Sequence, residues 1–330
     1  MERYTWDIYK AFRCVAEKCP DSCCQGWEVD VDETSADRYR ALEGALGDRL
    51  RQVMKTVDGE TTMILENGRC PMWRQDGLCR IQAELNHDAL CQVCQEYPRL
   101  RMDFGNFAEW GLELSCPEAA RLIFQSFEVQ KEILADRAEA EYDGELMAIL
   151  RESRRELLDF WHHTECTVPE KLAVTLMFAH QTQDALDGGE YLPLNWRKLL
   201  SAAESYVQDG DFVEILHFFE GLEILTDSWR HRLLTPEPGS WELQHLAIYL
   251  IHRYWLQAVW DYELVCRVKF IVSACILVNG LGGDPVQTSQ LFSKEIENDP
   301  DNREAILDAA YTHRAFTDVN LLSLLLGNEK

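Results

Sequence analysis

Eight cysteines stand close enough along this chain to act as local chelates. One group reads Cys14-x4-Cys19-x3-Cys23-Cys24. The other opens at Cys70-Pro71, passes through Asp76-Gly77-Leu78-Cys79 and closes at Cys91-x2-Cys94, just before Tyr97-Pro98-Arg99. Thiolates are strong ligands for zinc and for iron–sulfur clusters, and Gly and Pro permit the tight backbone that lets several converge on one centre. The two-residue spacing of Cys91 and Cys94 is shared with redox dithiols, so that pair alone decides little. Adjacent Cys23 and Cys24 make a poor disulfide with one another. Metal binding is therefore the better reading of the eight together. Tetrahedral zinc takes four ligands, with His87 available as a nitrogen donor, and an iron–sulfur cluster takes four thiolates. Eight candidates leave room for two sites, or for one site with bystanders. The fixed ferredoxin spacing is absent. So is the CxxxCxxC triplet of radical S-adenosylmethionine enzymes, because the third position after Cys19-x3-Cys23 falls on Gly26. Spacing alone leaves the metal open.

The elements that must position these thiols divide the chain at about residue 116. Nine of the twelve cysteines lie before that point. Residues 1–116 are expected to form a cysteine-rich metal-binding region of short strands and loops. Trp27, Val29 and Val31 alternate with polar neighbours and predict a brief strand, 34–57 reads as helix, and 104–114 as an extended piece. Ser115, Pro117 and Glu118 suit a helix start, with Ser115 as cap. Residues 117–330 are expected to form a bundle-like helical domain. Leu122, Ile123, Phe127, Ile133 and Leu134 fall at helical spacing. Further helices are predicted over 171–185, 196–207, 212–234, 241–260, 262–279 and 303–326, broken at Asp187-Gly188-Gly189, 235–239 and 280–283. The fold class is mainly α.

Composition removes several functions. The chain has 330 residues, 32 basic against 57 acidic, for a net charge of −25. So acidic a surface repels phosphates, and a nucleic-acid partner is not expected. The first twenty residues carry seven charges and no apolar signal core, and the longest apolar run, 270–281, is too short to span a bilayer, so a cytoplasmic protein without a membrane partner is expected. No P-loop, GxGxxG, GxSxG or HExxH motif occurs. The glycines of 280–283 follow an apolar helix and read as a turn. His162 and Cys166 read as ordinary helix surface, and His245, His252 and His313 as packed or solvated. Tyr249, Tyr254, Trp255, Trp260 and Tyr262, with Asp261, suit either an ammonium site or a helix interface.

Several of these segments together resemble the flagellin lysine-N-methylase (FliB) family. They are Tyr9-x2-Phe12-x-Cys14-x4-Cys19-x-Asp21-x-Cys23-Cys24-x-Gly26-Trp27, Asp76 to Cys79, Leu90-Cys91-x2-Cys94-x2-Tyr97-Pro98-Arg99, Leu114 to Ala120, Tyr249 to Val278 and Ser293 to Glu297. Asn86 stands where the family usually has glycine, and Asn298 where a histidine is expected. The resemblance implies methyl transfer from S-adenosylmethionine to flagellin lysines, with an iron–sulfur cluster, 4Fe–4S in type, held by the cysteines. Zinc is the alternative metal, and a non-enzymatic chelating or redox module the alternative function. The cluster would either bind the amino-acid end of S-adenosylmethionine or be structural. Methyl transfer needs a neutral amine. Tyr97, Tyr254 and Asp261 are the candidate catalytic groups, chosen for their chemistry and neighbourhood.

Overall fold

A computed structural model describes residues 1–134 and 139–327. The chain is mainly helical, with seven short strands among the described residues: β1 (Glu2–Trp6), β2 (Val29–Asp30), β3 (Met54–Val57), β4 (Glu60–Met63), β5 (Arg99–Asp103), β6 (Phe107–Leu112) and β7 (Val129–Ile133). A four-stranded sheet runs in the order β5-β6-β1-β7, with β1 parallel to β6 and antiparallel to β7. A second sheet, β2-β4-β3, turns its hairpin at Asp58-Gly59, where both residues have positive φ, as such tight turns require.

Two apolar cores result. The smaller gathers Val29, Val31, Tyr39, Leu50, Met63 and Ile81, and includes Cys70 and Cys91. The larger joins Trp6, Phe12, Phe107 and Leu114 to the helical body, so its members come from both sides of residue 116. At its centre lies the helix Leu264–Leu281, buried on nearly every face. It has the length and apolarity of a membrane span, but 78% of that window is buried inside the fold, as a core helix must be. The helices Val168–Leu186, Gln244–Tyr254 and Pro300–Thr312 pack around it. Side-chain caps at Asp143, Thr167, Asp211, Asp284 and Asp299 fix where helices start.

Some sequence expectations need correction. The stretch 34–57 is two helices, Glu33–Ala41 and Gly44–Val53, followed by β3. The stretch 212–234 breaks at Gly221 and resumes at the Thr226 cap. Residues 129–133 are a strand despite the helical spacing around them. The free edge of β1 takes β7 as partner, and the pairing sets Lys131 against Glu2 and Glu132 against Arg3. Ser115 does not cap the helix Pro117–Ile123; Cys116 holds that position without a side-chain bond.

The sheet meets the helical body through close contacts. Arg154, on the helix Gly144–His163, forms a mostly buried ion pair with Glu109 of β6. Gly111 lies under the Trp6 indole, where an added Cβ would come within 2.8 Å of the ring. Trp6 is 2% exposed and stacks on Phe127 at 4.1 Å, so it has no room to yield. Gly111→Ala is therefore expected to lower stability by about 1–3 kcal/mol, the usual cost of overpacking, read as the shift in a urea unfolding midpoint. An unchanged midpoint would show the indole to be free to move.

Candidate metal centre

The two cysteine groups meet because backbone and side chains tie their loops together. Cys70 N–H donates to the Cys24 carbonyl at 2.8 Å, and Gly26 N–H to Gly68 O at 3.1 Å. Asp32 caps the helix Glu33–Ala41 through Ser35 N and accepts a second bond from Gln92 N at 2.8 Å, linking that helix to the Cys91-x2-Cys94 turn. Arg38 donates to the carbonyls of Asp88, Ala89 and Leu90, and Tyr39 OH to Ala89 O at 2.7 Å. These bonds bind residues distant in sequence into one lobe.

All cysteines are free thiols. A cavity of about 360 Å³ is walled by Cys14, Cys19, Cys23, Cys24, Cys79, Cys94 and Cys116, together with His87 and Tyr97. Cys70 lies within hydrogen-bond reach of Cys24, and Cys91 of Cys94. Six of the eight candidate ligands thus line one cavity, Cys70 and Cys91 stand beside it against Cys24 and Cys94, and Cys116 joins the wall. Cys116 stands outside both groups in the sequence; the resemblance of its segment to the family was the available signal. Among the described residues, no three His, Cys, Asp or Glu side chains converge closely enough to hold a single metal ion.

Electrostatics separate these thiols. A hydrogen bond from Cys24 lowers Cys23 to about 7, with the Lys294 charge assisting, and raises Cys24 itself. Cys24 likewise lowers Cys70, and Cys94 lowers Cys91 while being raised in return. Burial raises Cys19 and Cys79 and pushes Cys116 up to about 12. In each pair the S–H bond from one cysteine favours the thiolate of the other, the form that ligates metal.

The helical body reaches this lobe through one unusual segment. Ser293–Glu297 forms a π-helical turn, a wider coil that redirects successive side chains. Lys294, 1% exposed, donates to both Asp21 oxygens at 2.9 Å and to Ser22 O at 3.2 Å, and its ammonium lies 5.0 Å from the Trp27 ring centre. Gln290 bonds Asp21 and the Ser115 carbonyl, and Asn298 donates to Ser115 Oγ at 2.9 Å. Asn298, the departure from the family pattern, is therefore part of the joint. Asn86, the other departure, caps Ala89 N with an extended backbone that needs no glycine.

The candidate catalytic groups occupy three settings. Tyr97 lines the cavity and bonds Ser115 Oγ at 3.2 Å; burial raises its phenol well above the usual value. Tyr254 is buried outside the cavity wall and donates to Glu297 at 2.9 Å. Asp261 is away from the cavity, in a surface ion pair with Arg267 at 2.7 Å. The aromatics of 249–255 are core side chains, while Trp260 and Tyr262 are half exposed. The helix before Cys166 ends at His163, so His162 and Cys166 share no helix face.

Lys294→Met leaves Asp21 without its counter-charge and is expected to cost about 3 kcal/mol by chemical denaturation, with Asp21→Asn restoring part of it in a double-mutant cycle. Additive effects would show that the pair does not couple. Asp32→Ala removes a cap and a cross-lobe bond, and about 1–2 kcal/mol is expected by the same measurement; a change below a few tenths would contradict the link.

Two kinds of relative match this chain. It is 32% identical over 119 residues to the flagellar biosynthetic protein FliU of Salmonella muenchen, a match that takes in 34% of this chain and 70% of FliU. Over 119 residues it is also 31% identical to the lysine-N-methylases of Salmonella choleraesuis and Salmonella typhimurium, taking in 30% of each. The chain thus spans under a third of the length of those methylases. No family model matches, and no solved structure matches. On the extent of its match to FliU, this chain belongs to the family of the lysine-N-methylases (FliB) and FliU.

Proposed function

We propose that this protein is a protein-lysine N-methyltransferase that uses S-adenosylmethionine, has flagellin as its substrate and carries a thiolate-ligated iron–sulfur cluster. The observation that carries the reading is the convergence of two cysteine groups, plus Cys116, on one cavity in a member of this family. The donor set fits the cluster: free sulfur ligands, thiolate-forming pairs and a nearby ammonium. One tetrahedral zinc needs four ligand atoms about 2.3 Å from a single point. An iron–sulfur cluster takes four thiolates, and seven cysteines wall this cavity. The ligands would be drawn from Cys14, Cys19, Cys23, Cys24, Cys70, Cys79, Cys91, Cys94 and Cys116. When bound, the cluster supplies Lewis-acidic iron and a rigid staple between the two groups.

In the transfer, the lysine nitrogen forms a bond to the methyl carbon as the carbon–sulfur bond breaks, and S-adenosylhomocysteine leaves. The nitrogen must first lose a proton, which a water-poor pocket favours by destabilising the ammonium. Tyr97, kept protonated by burial, suits orienting the amine rather than taking its proton. Tyr254 holds Glu297, and Asp261 holds Arg267, which are positioning roles.

A metal-binding module without methyl transfer is the second reading. It is favoured by the partial span of the methylases and by FliU, whose name states only flagellar biosynthesis.

Anaerobic purification is expected to give a brown protein absorbing near ~400 nm with bound iron and sulfide; a colourless zinc protein would remove the cluster. Labelled S-adenosylmethionine with flagellin is expected to place label on lysine. An intact cluster with no label would leave the second reading. Replacing Cys23 or Cys116 with Ser is expected to reduce bound iron, and a variant with full metal content leaves the ligand set.

A further inference from the structure

Beside the cysteine cavity lies a second, larger space, a cleft of about 700 Å³. Asp21 and Pro117 wall both spaces, so a ligand in the cleft abuts the cysteines across those two residues. Its size lies within the usual range for small-molecule sites, and polar and apolar groups share its walls.

Arg232 sits half buried in this cleft. Its Nη1 donates to the Gly282 carbonyl at 3.2 Å, and among the described residues it ion-pairs with no carboxylate. That is notable in a protein with 57 acidic side chains. The glycine turn sequence reading treated as a connection keeps the guanidinium there. An added Cβ at Gly283, where φ is +74°, would lie 2.5 Å from Arg232 Nη1. Glu237 borders the same cleft, so a guanidinium and a carboxylate face one space, the pairing that suits an amino-acid zwitterion.

We infer that this cleft takes the methyl donor, S-adenosylmethionine, with its carboxylate on Arg232. The inference rests on the proposed methyl-transfer reading and adds the place of the donor. It assigns the amino-acid end to protein groups rather than to the cysteine-bound centre.

The test is calorimetric titration of S-adenosylhomocysteine into the anaerobically purified chain. Arg232→Gln is expected to weaken binding about tenfold, the effect of losing one charged hydrogen-bond partner, and Arg232→Lys less. Gln287→Trp, on the exposed cleft wall, is expected to block binding without touching the core. Gln82→Trp, on the exposed wall of the cysteine cavity, is expected to leave binding within about twofold. Wild-type affinity in both Arg232→Gln and Gln287→Trp, loss only in Gln82→Trp, or no binding by the unmodified chain would each overturn the inference. Arg232-dependent binding without label on flagellin keeps the cleft and removes the methyltransferase reading. Label on flagellin with unaltered Arg232→Gln binding removes the cleft alone.

Discussion

A buried ammonium holds the cysteine lobe against the helical body. Lys294 has three N–H donors, and the two Asp21 oxygens and the Ser22 carbonyl supply three acceptors. Such saturation is what makes a buried charge tolerable, because desolvation otherwise outweighs the Coulomb attraction. The partners are separated by 273 positions, so the interaction forms only once both parts of the chain are in place. Its acceptors lie immediately before Cys23. The position of the first cysteine group is thus set by the C-terminal segment as much as by its own loop.

The lobe needs that external hold. Its apolar core is small, and two of its buried members, Cys70 and Cys91, are themselves candidate ligands. Small cores supply little net stability, and metal ligation commonly supplies the rest. Hydrogen bonds from Arg38, Tyr39 and Asp32 bring the second group to the first. The lobe thus combines polar cross-links with a thiol-lined cavity.

Much of this was legible in the residues. Spacing and composition gave the two cysteine groups, the helical body and a break near 280–283, which falls after Leu281, because thiol clustering, helical periodicity and glycine act locally. Cys116 was missed as a wall residue because two of the thiols it meets, Cys19 and Cys23, are 97 and 93 positions away. β7 was missed because an edge strand is chosen by the partner it finds, here β1, rather than by its own pattern. The wide turn at 293–297 leaves no periodic signal; the resemblance of Ser293 to Glu297 to the family pointed there without giving the geometry. Asp261 looked chemical beside its aromatics, but Arg267, six positions on in the helix Leu264–Leu281, supplies a partner that spacing alone did not select.

The polar groups behind the joint support a role beyond folding. Glu297 is 2% exposed; Tyr249 and Tyr254 donate to one of its oxygens, while the other, like Arg253 Nε, has no hydrogen-bond partner among the described residues. Apolar side chains of similar volume would pack this region at lower cost. Tyr249 OH also accepts from Leu114 N–H, and Asn298, next to Glu297, holds Ser115. The costly groups therefore act on the segment that delivers Ser115 and Cys116 to the cavity. Orientation is something directional polar bonds supply and apolar packing does not. The arrangement makes sense if the cavity wall must be held in one geometry, as a site that binds and positions reactants requires.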